Sequence, residues 1–341
     1  MDRQSENNLL VMELFSALLH ERACPFTKEE VEGFAKDVGM DCHQAFCTLV
    51  CAVCGLDSDL NPRHRLIAEK YITPALKKLE TAPYKNDPFY QNVHLPEKTR
   101  GEWQLTHQQY RPYEMFCYGD PMDLPDGREI PCIGYFTESF RYPAVLQKGR
   151  LWMAITPNEV ETMREDIAAA HGNILVLGLG LGYYAYMTAQ MENVSRVTVV
   201  ELDRDVIRLF EEELLPQFPH KEKIRVIRAD AFSYVEKEAA KEQYDFVYAD
   251  IWHDVLDGTP MYLRLRALEE HVPGADWRYW VEKSMLIWLR GLVKEEVTEG
   301  QGGLHAHFSK LPESCYERLD QLKAETAKLS PDFLKAPWEN D

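Results

Sequence analysis

The stretch NILVLGLGLGYYAYMTAQ, Asn173 to Gln190, constrains the fold more than any other part of this sequence. From Ile174 to Met191 it carries no charge, a run long enough to raise the question of a membrane span. Its period changes in the middle, and Gly178, Gly180 and Gly182 sit at the change. A short apolar run, a glycine turn and a helical run together describe a buried strand that turns into a helix. Glycine lets a backbone come close to a ligand and take positive φ. The helix start that follows offers free N–H groups to an anion such as a carboxylate. The strict dinucleotide fingerprint G-x-G-x-x-G is not met, because the spacing is G-x-G-x-G and Tyr183 follows the last glycine. On its own the loop suits a plain tight turn as well as a ligand cradle.

What surrounds the loop decides more. Apolar runs at 173–177, 196–200 (RVTVV), 224–228 (IRVIR) and 244–249 (YDFVYA) alternate with helical stretches from about 182, at 204–213 and at 231–240. Such alternation predicts an α/β fold with a doubly wound, mostly parallel sheet. Ligands of such sheets bind outside the carboxyl ends of the strands. Three acids stand at those ends: Glu201 in VVELD, Asp230 in RADAF and Asp250 in YADIW. Singly, Asp230 or Asp250 would read as a helix N-cap. Together with the glycines they point into one crevice, with Glu201 where an acid accepts hydrogen bonds from ribose hydroxyls.

The series ILVLGLGLG, VVELD, RADAF and YDFVYADIW resembles the nucleotide-binding core of the class I S-adenosylmethionine-dependent methyltransferases, over about Asn173 to Asp254. The resemblance implies S-adenosylmethionine as cofactor. The Gly178–Gly182 loop would cradle its methionine part, Glu201 would hold the ribose and Leu202 would flank the adenine. Asp230 would reach the adenine amino group with the Ala231 backbone beside it, and Asp250 would line the methionine amino group and the substrate. In layout the chain is most similar to the spermidine synthase-like branch, in which a small β unit also precedes the core and an Asp after the fourth strand acts in aminopropyl transfer. Two departures stand against carrying that activity over first. The glycine loop has Leu181 where the branch usually has an acid, and the spacing from Asp250 to Asp254 is one residue longer than usual. After Asp250 the sequence also offers little strand signal: ADWRYWVEKSMLIWL could hold one short strand but reads better as an amphipathic helix.

Methyl transfer asks the protein mainly to align a nucleophile with the donor. Asp250 is the candidate general base and His253 the second. Tyr183, Tyr184 and Trp252 could wall a cationic group by cation–π contact, or be core aromatics, and Asp254 could hold a substrate ammonium. The expectation is an S-adenosylmethionine-dependent transferase, methylating a small molecule. The alternatives are a spermidine synthase-like aminopropyltransferase and a non-catalytic binding or scaffolding protein.

The rest of the chain frames this core. Residues 1–82 read as a helical N-terminal domain, with Thr27/Glu30 and Asp41/Gln44 as capping boxes and Asn61-Pro62 as a helix start. Residues 83–156 read as a small antiparallel β unit, with a Pro-Asp-Gly turn at 125–127 and a hairpin at Lys148-Gly149. The core spans 157–298, its first helix opened by Thr156, Pro157 and Glu159 and stopped by Gly172, and 299–341 form a C-terminal helical extension. Cys47, Cys51 and Cys54 match C-x3-C-x2-C, the spacing of radical S-adenosylmethionine enzymes, but lie within an amphipathic helix, so no metal is expected. The eight cysteines read as free thiols in a reducing cytoplasm. No signal peptide is read at the N-terminus, where Glu13 interrupts the apolar run. A net charge of −18 disfavours nucleic acid and anionic membranes; it suits a cationic or neutral small substrate, or acidity kept only for solubility. A homodimer is compatible with these features.

Overall fold

The charge-free run of the sequence resolves into strand, turn and helix in the computed structural model, which describes residues 3–21 and 23–299. Among these residues no helix is long and apolar enough to cross a membrane. The strands are β1 (Leu76–Lys78), β2 (Lys98–Arg100), β3 (Trp103–Tyr110), β4 (Met115–Asp123), β5 (Glu129–Tyr135), β6 (Phe140–Gln147), β7 (Arg150–Ala154), β8 (Gly172–Leu177), β9 (Val194–Glu201), β10 (Ile224–Arg228), β11 (Phe246–Ala249) and β12 (Asp276–Tyr279). The chain divides into two units. One holds the described residues up to Tyr84 with Gln108–Arg141; the other holds Lys85–His107 and the described residues from Tyr142 onward. Residues of the 83–156 stretch are thus distributed over both.

The first unit is helical up to Ile72. Thr27 and Glu30 form both bonds of a capping box, Asp41 accepts the His43 and Gln44 N–H groups, and Asn61 caps the helix that Pro62 opens. The Cys42–Val53 helix buries Phe46, Val50, Cys47 and Cys51 in a core with Tyr71, Tyr113 and Tyr135. Burial pushes the Cys47 thiol up to about 12, so it stays protonated and packs as an apolar group. The unit's sheet, β1-β5-β4, corrects one expectation. Its β4–β5 pair is antiparallel, but β1 runs parallel to β5. A parallel partner needs a long crossover rather than a hairpin, and strand pattern alone does not reveal it.

In the second unit five strands form a wholly parallel sheet in the order β10-β9-β8-β11-β12. Ile174, Leu175, Leu177 and all four residues of β11 are buried. That is the near-continuous apolar texture of strands covered on both faces, each such Leu or Ile contributing about 1.5–3 kcal/mol. From β8 the chain steps outward to β9 and β10, then returns to β11 and β12 on the other side. Right-handed crossovers therefore lay helices on both faces and leave a switch point between β8 and β11. A second, four-stranded sheet has the order β2-β3-β6-β7, and β6 and β7 meet in the expected hairpin.

Three local readings differ from expectation. Residues 276–279 form β12, parallel to β11, and the helix begins only at Glu282. Asp276 and Arg278 alternate with Trp277 and Tyr279, a four-residue period-2 signal too short to stand out from the helical periodicity after it. Thr156 makes no capping bond, and the Pro157–Ala169 helix ends before Gly172, which opens β8 instead. The helix from Arg204 widens into a π turn over Phe210–Leu214. Residues 300–341, and the helical extension expected there with Cys315, lie outside the described residues.

Candidate active site

The backbone ladder sets the site. Asp250 donates its N–H to the Leu177 carbonyl at 2.8 Å, and Gly178 donates to the Val200 carbonyl at 2.9 Å. These bonds hold Gly178 and Asp250 level, facing each other across the switch point. At Gly178 φ is 97°, and a Cβ there would lie 1.9 Å from the Asp250 carbonyl oxygen. No residue but glycine fits so close a backbone approach. Gly182 is held by packing instead: a Cβ would lie 2.4 Å from the Phe210 ring, which the π turn carries there. Over Gly180 sits the Met153 thioether.

Glu201 ties the loop to the next strand end. One of its oxygens accepts the Leu179 N–H at 3.2 Å and the other the Asp203 N–H at 2.8 Å. Burial raises its carboxyl above the usual range, against the opposing pull of those N–H donors. Leu202, beside it, is 65% exposed. Asp230 accepts the Ser233 N–H at 2.9 Å and caps the Ala231–Lys237 helix, with Ala231 buried. Glu201 and Asp230 are joined through the Ala229 N–H, which donates to the Glu201 carbonyl at 3.1 Å.

Beneath the glycine loop lies a pocket lined by Met153, Met163, Leu179, Tyr183, Tyr184, Tyr248 and Asp250, among others, with no Lys or Arg in its wall. Tyr183 presents its ring there and donates its hydroxyl to Asp87 at 2.8 Å. Tyr184 and Tyr248 stack face to face, 3.8 Å apart and parallel. Burial raises the Asp250 carboxyl to about 7. Glu159, from the first turn of the Pro157–Ala169 helix, is raised too, first by burial and then by the Asp250 charge. Two buried carboxyls this close cannot both ionise cheaply, and they titrate as a pair. One Glu159 oxygen and the Tyr248 hydroxyl are buried with no hydrogen-bond partner among the described residues. Buried polar atoms without partners are uncommon and ask for a ligand or a water. The donor set here, all oxygen acceptors, fits a group rich in N–H.

The other sequence candidates lie elsewhere. Trp252 is buried against Tyr279 and the bare face of Gly258 rather than in the pocket wall. His253 is exposed, with its ring stacked on Trp152 at 5.9 Å and its Nδ1 3.1 Å from the Trp152 carbonyl. Asp254 caps the Val255–Arg266 helix in a reciprocal box with Asp257. The sequence did not single out Glu159 or Tyr248 as site candidates. An acid in a first helical turn looks like a capping residue, and a tyrosine in a buried strand looks like core; the one available signal was that no cap bond needed Glu159 once Pro157 had set the helix start.

Residues 165–267 match the family model described as Spermine/spermidine synthase domain. That stretch holds the glycine loop, Glu201, Asp230 and Asp250. Among solved structures, a spermidine synthase from Thermotoga maritima is similar at 13% identity with a TM-score of 0.32, over 45% of this chain and 60% of that one. No curated protein sequence matches the chain.

Proposed function

We propose that this chain is a transferase acting on an S-adenosyl sulfonium donor, and that the group it moves is aminopropyl. One observation carries the reading: Gly178 and Asp250 meet across the switch point of a parallel sheet, above a pocket lined by Asp250 and the aromatics Tyr183, Tyr184 and Tyr248, with no Lys or Arg among its described lining residues. In this reading Glu201 accepts the ribose hydroxyls, Leu202 flanks the adenine, and Asp230 with Ala231 stands at the adenine edge. A methionine carboxylate would bring negative charge against Asp250 and Glu159, whereas a decarboxylated donor brings an ammonium. The family-model match supports the same choice over methyl transfer, the first expectation from sequence.

Such a donor supplies an electrophilic carbon beside its sulfonium. The chain's part is to hold donor and acceptor in line and to move one proton. A C–N bond forms as the C–S bond breaks, sulfur keeps the electron pair, and Asp250 takes the proton that the new secondary amine sheds. A carboxyl raised to about 7 is half charged near neutrality, which suits a base. Methyl transfer is the second reading, favoured by Leu181 in the loop where the spermidine synthase-like branch carries an acid.

The products separate the two. Incubation with decarboxylated S-adenosylmethionine and a panel of diamines should release methylthioadenosine. Release of S-adenosylhomocysteine from S-adenosylmethionine, with no methylthioadenosine from the decarboxylated donor, would overturn aminopropyl transfer in favour of methylation. Thermal stabilisation by NAD alone would overturn both.

A further inference from the structure

We infer that Glu159 and Tyr248, with Asp250, form an ammonium-binding subsite beneath the glycine loop; this rests on the S-adenosyl reading above. Tyr248 lies on β11, one pair of residues before Asp250, and is fully buried. Its hydroxyl has no hydrogen-bond partner among the described residues, and it feels the charges of both Asp250 and Glu159. Glu159 comes from a different element, the helix before β8, with one oxygen buried and without a hydrogen-bond partner among the described residues. Tyr248 and Asp250 thus line the same pocket, and Glu159 interacts electrostatically with both. A primary ammonium has three N–H donors and one positive charge. It would satisfy both orphaned oxygens and let both carboxyls ionise around it, where a neutral or anionic group would do neither.

The surroundings are consistent with that charge. Tyr248 feels the charges of Asp250, Asp166, Tyr184 and Glu159, and its stacked neighbour Tyr184 those of Asp166, Arg278 and Asp276. Arg278 is engaged by Asp276 at 3.0 Å, so the balance at the subsite is acidic.

Two probes differ only in the amine: 5′-(propylthio)adenosine, which lacks it, and 5′-(3-aminopropylthio)adenosine, which carries it on a neutral thioether. Isothermal titration should find the amine compound bound more tightly by about tenfold or more, the size expected of charged hydrogen bonds. Because the ammonium displaces the proton shared by the carboxyls, its binding should release protons near pH 6.5, read by titrating in buffers of different ionisation enthalpy. Glu159→Gln should remove most of the preference and the proton release while leaving 5′-(propylthio)adenosine affinity in place. Tyr248→Phe should lower the preference without abolishing the proton release. Equal affinity for the two probes in the parent protein, or loss of both affinities alike in Glu159→Gln, would overturn the subsite and leave the nucleoside reading standing. Binding of neither probe would overturn the nucleoside reading and the subsite with it.

Discussion

Replacing Asp250 with asparagine should stabilise the protein at neutral pH, and the gain should vanish in acid. The Asp250 carboxyl titrates at about 7 in the fold, against 3.8 when free. Between those values the folded state holds a proton that the unfolded chain has released. Stability contributed by this group is therefore highest below the unfolded value and falls as pH rises toward the folded one. Three units at about 1.4 kcal/mol each put the full cost near 4 kcal/mol above pH 7. Glu159 competes for the same proton, so the pair shares the cost and removing one member recovers about 2–4 kcal/mol. For a unit of this size that is a rise in Tm of roughly 4–16 °C. Asparagine keeps the shape, so any loss of packing or hydrogen bonding acts equally at all pH. The informative quantity is the difference between Tm gains at about pH 8 and about pH 5, measured by scanning calorimetry without ligand. Parallel Tm curves for parent and variant across that range would mean that Asp250 ionises freely in the fold, and the argument for a paired, desolvated carboxyl would fail.

Gly178→Ala should prevent folding of the second unit or cost more than about 3 kcal/mol, since the clash is with backbone at a positive φ; a loss below about 1 kcal/mol in urea titration would contradict the close approach. Leu202→Ala should leave stability within about 0.5 kcal/mol, because the side chain is exposed, yet weaken methylthioadenosine binding severalfold; unchanged affinity by titration calorimetry would remove Leu202 from the adenine. Glu201→Ala strands the Leu179 and Asp203 N–H donors. It should cost about 1–3 kcal/mol and abolish nucleoside-induced thermal shifts, and a retained shift would place the ligand elsewhere.

The parallel core was legible because its signals are local. Buried strands read as charge-free runs, and the acids that follow them read as strand ends. β12 was hidden because four residues give too short a period beside a long helical one, and the parallel partnership of β1 and β5 because pairing at a distance leaves no mark in either strand. Sequence order also misplaced weight within the site. His253, Asp254 and Trp252 are neighbours of Asp250 in the chain, but the backbone turns after β11 and assigns them to a surface stack, a helix cap and the core.

Glu159 illustrates the opposite error, and its physical cause is general. An acid in the first turn of a helix is favoured there by the free N–H groups whether or not it does anything else, so the capping rule explains its presence too easily. The structure withholds that explanation, since Thr156 makes no cap bond and the Glu159 oxygen has no hydrogen-bond partner among the described residues. Desolvating a carboxyl without a donor costs more than any helix-start preference contributes. A bound ammonium beside it would supply the missing donors and offset that cost. That is why the charge-dependent gain in Asp250→Asn and the amine preference lost in Glu159→Gln should appear together: the same uncompensated pair produces both.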